Sequence, residues 1–120
     1  MVDLDPGQGS DPYHYVYGRE EWLLVLAGTP TLRRPQGEDH LEAGDLVCLP
    51  EGPAGAHRLL NRGESVVRAL SLSTTGLPAN VCYPDTGHWR IRNGLGGDEV
   101  VVRKTGPVGA NTASSGVAGP

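Results

Sequence analysis

The 120 residues of this chain contain no run of lysine or arginine and no apolar stretch approaching the roughly 20 residues that span a bilayer. Each absence removes a class of function. Ten basic residues stand against fourteen acidic ones, a formal charge of −4. That balance offers no electrostatic footprint for a phosphate backbone or an anionic membrane surface, so neither nucleic acid nor membrane is expected as a partner. The N-terminus lacks the basic and apolar regions of a secretory signal, and the cytoplasm is the expected location. Cysteine is scarce: Cys48 and Cys82 form neither a CxxC pair nor a near-neighbour zinc spacing. They are expected as reduced, mostly buried thiols.

What the chain has in plenty is glycine (18) and proline (10), which punctuate strands and turns better than they fill helices. The length suits one domain with a single core of modest size. Short apolar segments recur between turn signals: Tyr13 to Tyr17, Glu21 to Ala27, Thr31 to Arg34, Asp45 to Leu49, His57 to Asn61 and Ser65 to Ser73. Such spacing is that of a sandwich or barrel. Gly28 ends one strand, Gly37 lies in a polar tip with Gln36 and Glu38, and Gly44 precedes Asp45 at the next reversal, all places where glycine tolerates a positive φ. Pro50 and Gly52 suit the second and fourth positions of a type I turn. Weaker strand candidates follow at Trp89 to Arg92 and Glu99 to Arg103. From Gly106 onward there is no charge, aromatic residue or period. The expected organisation is a barrel domain over residues 1–105 and a disordered tail over 106–120.

Residues two apart in a strand face the same way, so His14 and Val16 share one face while Tyr13, Tyr15 and Tyr17 share the other. Two half-motifs stand in order along the chain. One runs from His14 through Glu21 to Gly28, the other from Gly44 through Pro50, Gly52 and His57 to Asn61. Together they resemble the cupins, from about Leu4 to Tyr83. The runs Glu20-Glu21-Trp22-Leu23-Leu24-Val25-Leu26 and Pro50-Glu51-Gly52-Pro53-Ala54-Gly55-Ala56-His57 are similar to those of small bacterial members without a well-defined activity. The resemblance implies an all-β jelly-roll barrel, a double-stranded β-helix whose interior usually holds a metal. It also implies that His14, Glu21 and His57 are metal ligands, with Glu21 a better match than Glu20. Val16 stands where the family normally has its second histidine.

Two imidazoles and one carboxylate suit a divalent transition metal, Fe(II), Mn(II), Ni(II), Cu(II) or Zn(II), with water in the remaining positions. The alternative is a barrel that keeps these groups as hydrogen-bonded interior residues without metal. No nucleotide cofactor is expected. Tyr15 and Tyr17 have the wrong parity to replace the missing histidine, and His40 and His88 are expected on the solvated surface. Arg68 shares parity with Val66, Leu70 and Leu72. It is read either as a guanidinium offered to an anionic substrate inside the barrel or as an edge-strand arginine reaching water.

If Glu21 points inward, Trp22, Leu24 and Leu26 point outward, beside an outward row of Tyr13, Tyr15 and Tyr17. An apolar face of that size must be covered, and a second copy of the chain is the expected cover. The other explanation is that covering strands are missing: the segment before His14 is shorter than in similar proteins, as if Met1 came from a late start. Three functions remain open. They are a metal-dependent enzyme on a small polar substrate, with Glu20 or a tyrosine as base; a small-molecule-binding module, favoured by the apolar Val16; and a dimeric structural or regulatory partner.

Overall fold

Alternating apolar and polar residues broken by glycine and proline give antiparallel strands and almost nothing else. The computed structural model describes residues 1–74, 79–92 and 99–103. In chain order the strands are β1 (Val2–Leu4), β2 (Tyr15–Tyr17), β3 (Glu21–Ala27), β4 (Thr31–Arg34), β5 (Gly37–His40) and β6 (Leu46–Leu49). A 3-10 turn, Pro53–Gly55, precedes β7 (Arg58–Leu60), β8 (Val67–Ser73), β9 (Ala79–Tyr83), β10 (His88–Arg92) and β11 (Glu99–Arg103). The expected disordered tail, residues 106–120, lies outside the described residues. Among the described residues no helix is long and apolar enough to cross a membrane.

The strands form sheets in the orders β1-β8-β3-β6, β11-β10-β9-β2 and β5-β4-β7. The first and third face each other across a core of Leu4, Leu23, Leu32, Leu49, Leu59, Val67 and Ala69. Burying each of the larger side chains stabilises the fold by about 2 kcal/mol. The second sheet is stitched to the third by residues 7–14, which run along β7. Ser10 N–H donates to the Leu59 carbonyl (2.8 Å), and the pairing ends in a bridge between His14 and His57. The result is the expected jelly-roll barrel.

Two glycines show why this chain turns where it does. Gly28 has φ +85°, and a Cβ there would lie 2.7 Å from the Val66 carbonyl oxygen. Gly52 has φ +82°, and its N–H crosses to the Val16 carbonyl (2.9 Å) instead of closing a local turn, which docks the Pro53–Gly55 turn beside β2.

Several expectations need correction. Within the tyrosine row, Tyr13 and Tyr15 are covered by the chain itself, whereas Tyr17 stacks on Trp89 and stays 41 % exposed. Tyr15 is only 2 % exposed, set edge-on to Trp89 of β10, and Tyr13 lies under the Arg33 guanidinium, which is itself held by Asp85 at 2.8 and 3.0 Å. On β8 the register with β3 pairs Leu24 with Leu70 and Trp22 with Leu72. The row containing Arg68 therefore faces outward, and the small residues Ala69 and Ser71 face in. Arg68 pairs with Asp3 at 2.9 Å on that outer face, within a strand flanked on both sides. Cys82 is buried as expected, but Cys48 is exposed, because β6 turns Val47 and Leu49 inward. Strands β1, β5 and β9 were not anticipated.

Candidate metal centre

The site begins with backbone pairing. His14 N–H donates to the His57 carbonyl (3.1 Å) and His57 N–H to the His14 carbonyl (2.9 Å). A mutual pair of this kind holds two residues side by side with their side chains on one face. The two rings are 4.6 Å apart, tilted by 51°. Glu21 arrives from the other sheet. As the first residue of β3 it shares parity with the core residues Leu23 and Val25, so its carboxylate projects from the same inward face at the end of the barrel. Its Oε1 lies 3.7 Å from His57 Nε2, and its Oε2 is 4.0 Å from Arg19 Nε.

The tautomers follow from the hydrogen bonds. His14 Nδ1 lies 2.8 Å from the Pro12 carbonyl and His57 Nδ1 lies 2.8 Å from the Gly55 carbonyl. A carbonyl only accepts, so each Nδ1 carries a proton and Nε2 is the nitrogen left to face a ligand. Burial lowers the His57 pKa from its ordinary value, opposed by the Gly55 carbonyl, reinforced by nearby His14 and opposed further by Glu21 and Asp11. A neutral imidazole is the form that binds a metal.

One ligand atom from each of His14, Glu21 and His57 lies within 4.8 Å of the others, each residue being half-buried. Metal bonds of about 2.0 to 2.2 Å place neighbouring ligand atoms roughly 3 Å apart, so a small inward rotation closes this group on an ion. The donor set and its prepared tautomers fit a divalent transition metal. A cavity of about 90 Å³ opens at the group, walled also by Ser10, Asp11 and Ser71.

All three sequence-predicted ligands thus come together. Val16 lies on the His14 face as expected, packed against Val81 and Tyr83, and offers no lone pair. His40 is exposed on β5, and Glu20 is exposed with its N–H bonded to Thr74 Oγ1. His88 departs from expectation. It opens β10, half-buried, and lines a second cavity beside the site instead of an open loop. Asp11 and Tyr83 escaped the sequence reading. Asp11 lines both cavities, and the Tyr83 ring is 5.9 Å from that of His14. Asp11 belongs to no strand, so alternation carried no signal for it. For Tyr83 the signal was its apolar-aromatic neighbourhood, Val81 to Tyr83, just before Pro84.

Comparison with known proteins gives the following. The family described as Cupin domain matches residues 1–73. Among curated proteins none matches the chain. A sugar phosphate isomerase of the cupin superfamily from Silicibacter pomeroyi DSS-3 superposes with a TM-score of 0.78 at 27 % identity, covering 92 % of this chain and 68 % of that one. A proposed sugar phosphate isomerase from Acidithiobacillus ferrooxidans ATCC 23270 gives 0.77 at 29 %, covering 84 % of this chain and 63 % of that one. The chain therefore spans about two thirds of the length of these two relatives. An uncharacterized protein with a double-stranded β-helix domain from Klebsiella pneumoniae gives 0.56 at 22 %, covering 68 % and 64 %, a likeness of fold alone.

Proposed function

Because the chain belongs to the cupin family, we propose that it is a metal-dependent enzyme of the barrel interior that isomerises a small sugar phosphate. The observation that carries this role is the convergence of His14 Nε2, His57 Nε2 and the Glu21 carboxylate beside a cavity. What supports the substrate class is the likeness, at 27 and 29 % identity, to two proteins described as sugar phosphate isomerases. When bound, a divalent ion supplies Lewis acidity toward a carbonyl or hydroxyl oxygen.

The chain's own residues do the rest. His14 and His57, fixed by the Pro12 and Gly55 carbonyls, and Glu21 hold the ion at the cavity wall. Asp11, shared by both cavities, takes a proton from the carbon beside the carbonyl and returns it to the former carbonyl carbon. The Ser71 hydroxyl passes the hydroxyl proton from one oxygen to the other, so carbonyl and hydroxyl exchange places with no net oxidant. The test is elemental analysis of protein purified without tag or chelator, followed by an aldose–ketose conversion assay on pentose and hexose phosphates. Metal-free protein that ignores all five candidate ions and converts none of these substrates would exclude this function.

The protein is also read as a homodimer in the cytoplasm. What supports the cytoplasm is the pair of cysteines, Cys48 exposed and Cys82 buried, read as reduced thiols. What supports pairing is the outer face of β1-β8-β3-β6. Trp22 is flanked by Cys48 and Leu72, and Leu24 by Leu46 and Leu70. Leu46 is 62 % and Leu72 49 % exposed. Apolar residues thus lie to both sides of β3, so a two-fold axis through β3 sets the β6 row of one copy on the β8 row of the other. Such self-complementarity supports a second copy as the occupant of this face.

A further inference from the structure

A second cavity, of about 440 Å³, adjoins the metal centre, and its walls include Asp11, Tyr83, Thr86, His88 and Arg90. Strand register explains why. In the sheet β11-β10-β9-β2, Val16 pairs with Val81 and Val81 with Arg90, while Tyr83 pairs with His88. Side chains alternate along each strand. The face that carries His14 and Val16 on β2 therefore carries Tyr83 and Val81 on β9 and His88 and Arg90 on β10. The opposite face carries Tyr15, Cys82 and Trp89, which pack together.

The inward face thus runs without a break from a metal ligand to two basic side chains. Successive strands are about 4.8 Å apart, so His88 stands roughly 10 Å from His14, with the Tyr83 ring between them. Thr86 Oγ1 is 2.9 Å from His88 Nδ1 and fixes the ring. The Arg90 side chain ends in a planar guanidinium, a group whose geometry matches phosphate oxygens. The charge order along the path is asymmetric. Carboxylates of Glu21 and Asp11 stand at the metal end, and His88 with Arg90 at the far end.

We propose that His88 and Arg90 form the phosphoryl-binding subsite of this barrel, an inference that rests on the isomerase role proposed above and names the end of the substrate that the metal centre does not hold. A dianionic phosphate is repelled by Asp11 and Glu21 and attracted by Arg90, so the charge order admits a sugar phosphate in one orientation. Its carbonyl end lies at His14, Glu21 and His57, and its phosphoryl group lies about two strands away. Asp11, at the boundary, faces the carbons between them.

The test is calorimetric titration of the full chain, kept in chelator, with inorganic phosphate, D-ribose 5-phosphate and D-ribose. Both phosphates are expected to bind and ribose to bind at least tenfold more weakly. Arg90→Gln and His88→Gln are each expected to weaken phosphate binding fivefold or more while leaving metal content unchanged. Arg90→Lys should restore part of the loss, because a point charge remains without the fork. Asp11→Asn should tighten inorganic phosphate, because a like charge is removed. Because Arg90 is exposed, its replacement is expected to fold, which circular dichroism checks. Phosphate binding that is absent, or equal in wild type, Arg90→Gln and His88→Gln, overturns the subsite. Phosphate binding that is intact in a protein that takes up no metal supports the subsite and instead overturns the metal-dependent role.

Discussion

His14 and His57 exchange both of their backbone hydrogen bonds, at 3.1 and 2.9 Å, across the seam between two sheets. The pairing of two proposed metal ligands is thereby built into the main chain, and neither imidazole is needed to keep the strands in register. A site of this kind can lose a ligand without losing its frame. Position 16 has the same frame without a donor, since Val16 pairs with Val81 on the face that carries His14.

His57→Ala should therefore abolish metal uptake and leave the fold intact. The bridge to His14 survives truncation, while two donors remain where three converged. Affinity is expected to fall by more than about 100-fold, beyond the loss typical of an outer-shell partner. Elemental analysis with far-ultraviolet circular dichroism separates loss of metal from loss of structure.

Val16→His should act in the opposite direction. Val16 lies two residues from His14 on the same face, about 6.6 Å along the strand, within reach of an imidazole turned toward the group. A fourth protein ligand is expected to raise metal affinity by roughly an order of magnitude. Without metal the variant should melt below the wild type, since Val16 is only 4 % exposed against Val81 and Tyr83. With metal the deficit should vanish. Equal affinities would show that position 16 does not face the ion.

Acid should weaken the metal-free protein through His57. Its folded pKa is lowered, chiefly by burial, while the unfolded chain titrates near the ordinary value of about 6.5. Below that pH the unfolded state takes up a proton that the folded state resists. Stability is thus fully present above about 6.5 and declines as the pH falls toward the folded pKa. Chemical denaturation of wild type and His57→Gln from pH 8 to 5 checks this, the variant being expected to show the shallower dependence.

What was legible in the sequence follows from which residues alternate. Strand β3 could be read in full because Glu21, Leu23 and Val25 alternate with Trp22 and Leu24 and end at Gly28, whose positive φ closes the turn. Strand β5, Gly37–His40, is polar and exposed at every residue, so it has no periodicity to betray it. Parity correctly separated His14 from Tyr15, but parity says which face a residue takes and nothing about what covers that face. Trp89, arriving from a strand more than seventy positions later, could not be placed against Tyr15 in advance. The three ligands carried a motif. Asp11, His88 and Arg90 carry none, and only the pairing of residues 7–14 with β7 and of β10 with β9 brings them to the site.

Asn61 should prove structural. It is 1 % exposed, and its side-chain amide donates to the Leu4 (3.0 Å) and Ser65 (2.8 Å) carbonyls while its oxygen accepts from Gly63 N–H (3.0 Å). It joins the end of β1 to the turn after β7. Asn61→Ala strands these partners away from water, at a cost of about 3 kcal/mol. Urea unfolding should show that loss with metal binding per folded molecule unchanged. A parallel loss of metal would place Asn61 in the site instead.

The outer face of β3 gives the final prediction. Leu46, Leu72 and Leu26 are exposed around half-buried Trp22 and Leu24, and the row carries no formal charge until the Asp3–Arg68 pair at its margin. Because the apolar rows of β6 and β8 flank β3, each copy supplies both halves of the proposed contact, and one charge per chain places two charges in the interface. Leu46→Glu alone should therefore convert the dimer to monomer at micromolar concentration, as should Leu72→Glu. Neither side chain belongs to the core, so the far-ultraviolet spectrum should not change. Light scattering coupled to size exclusion reads the mass directly. A wild type that elutes as a monomer, or a dimer untouched by both glutamates, would assign this face to something other than a second copy.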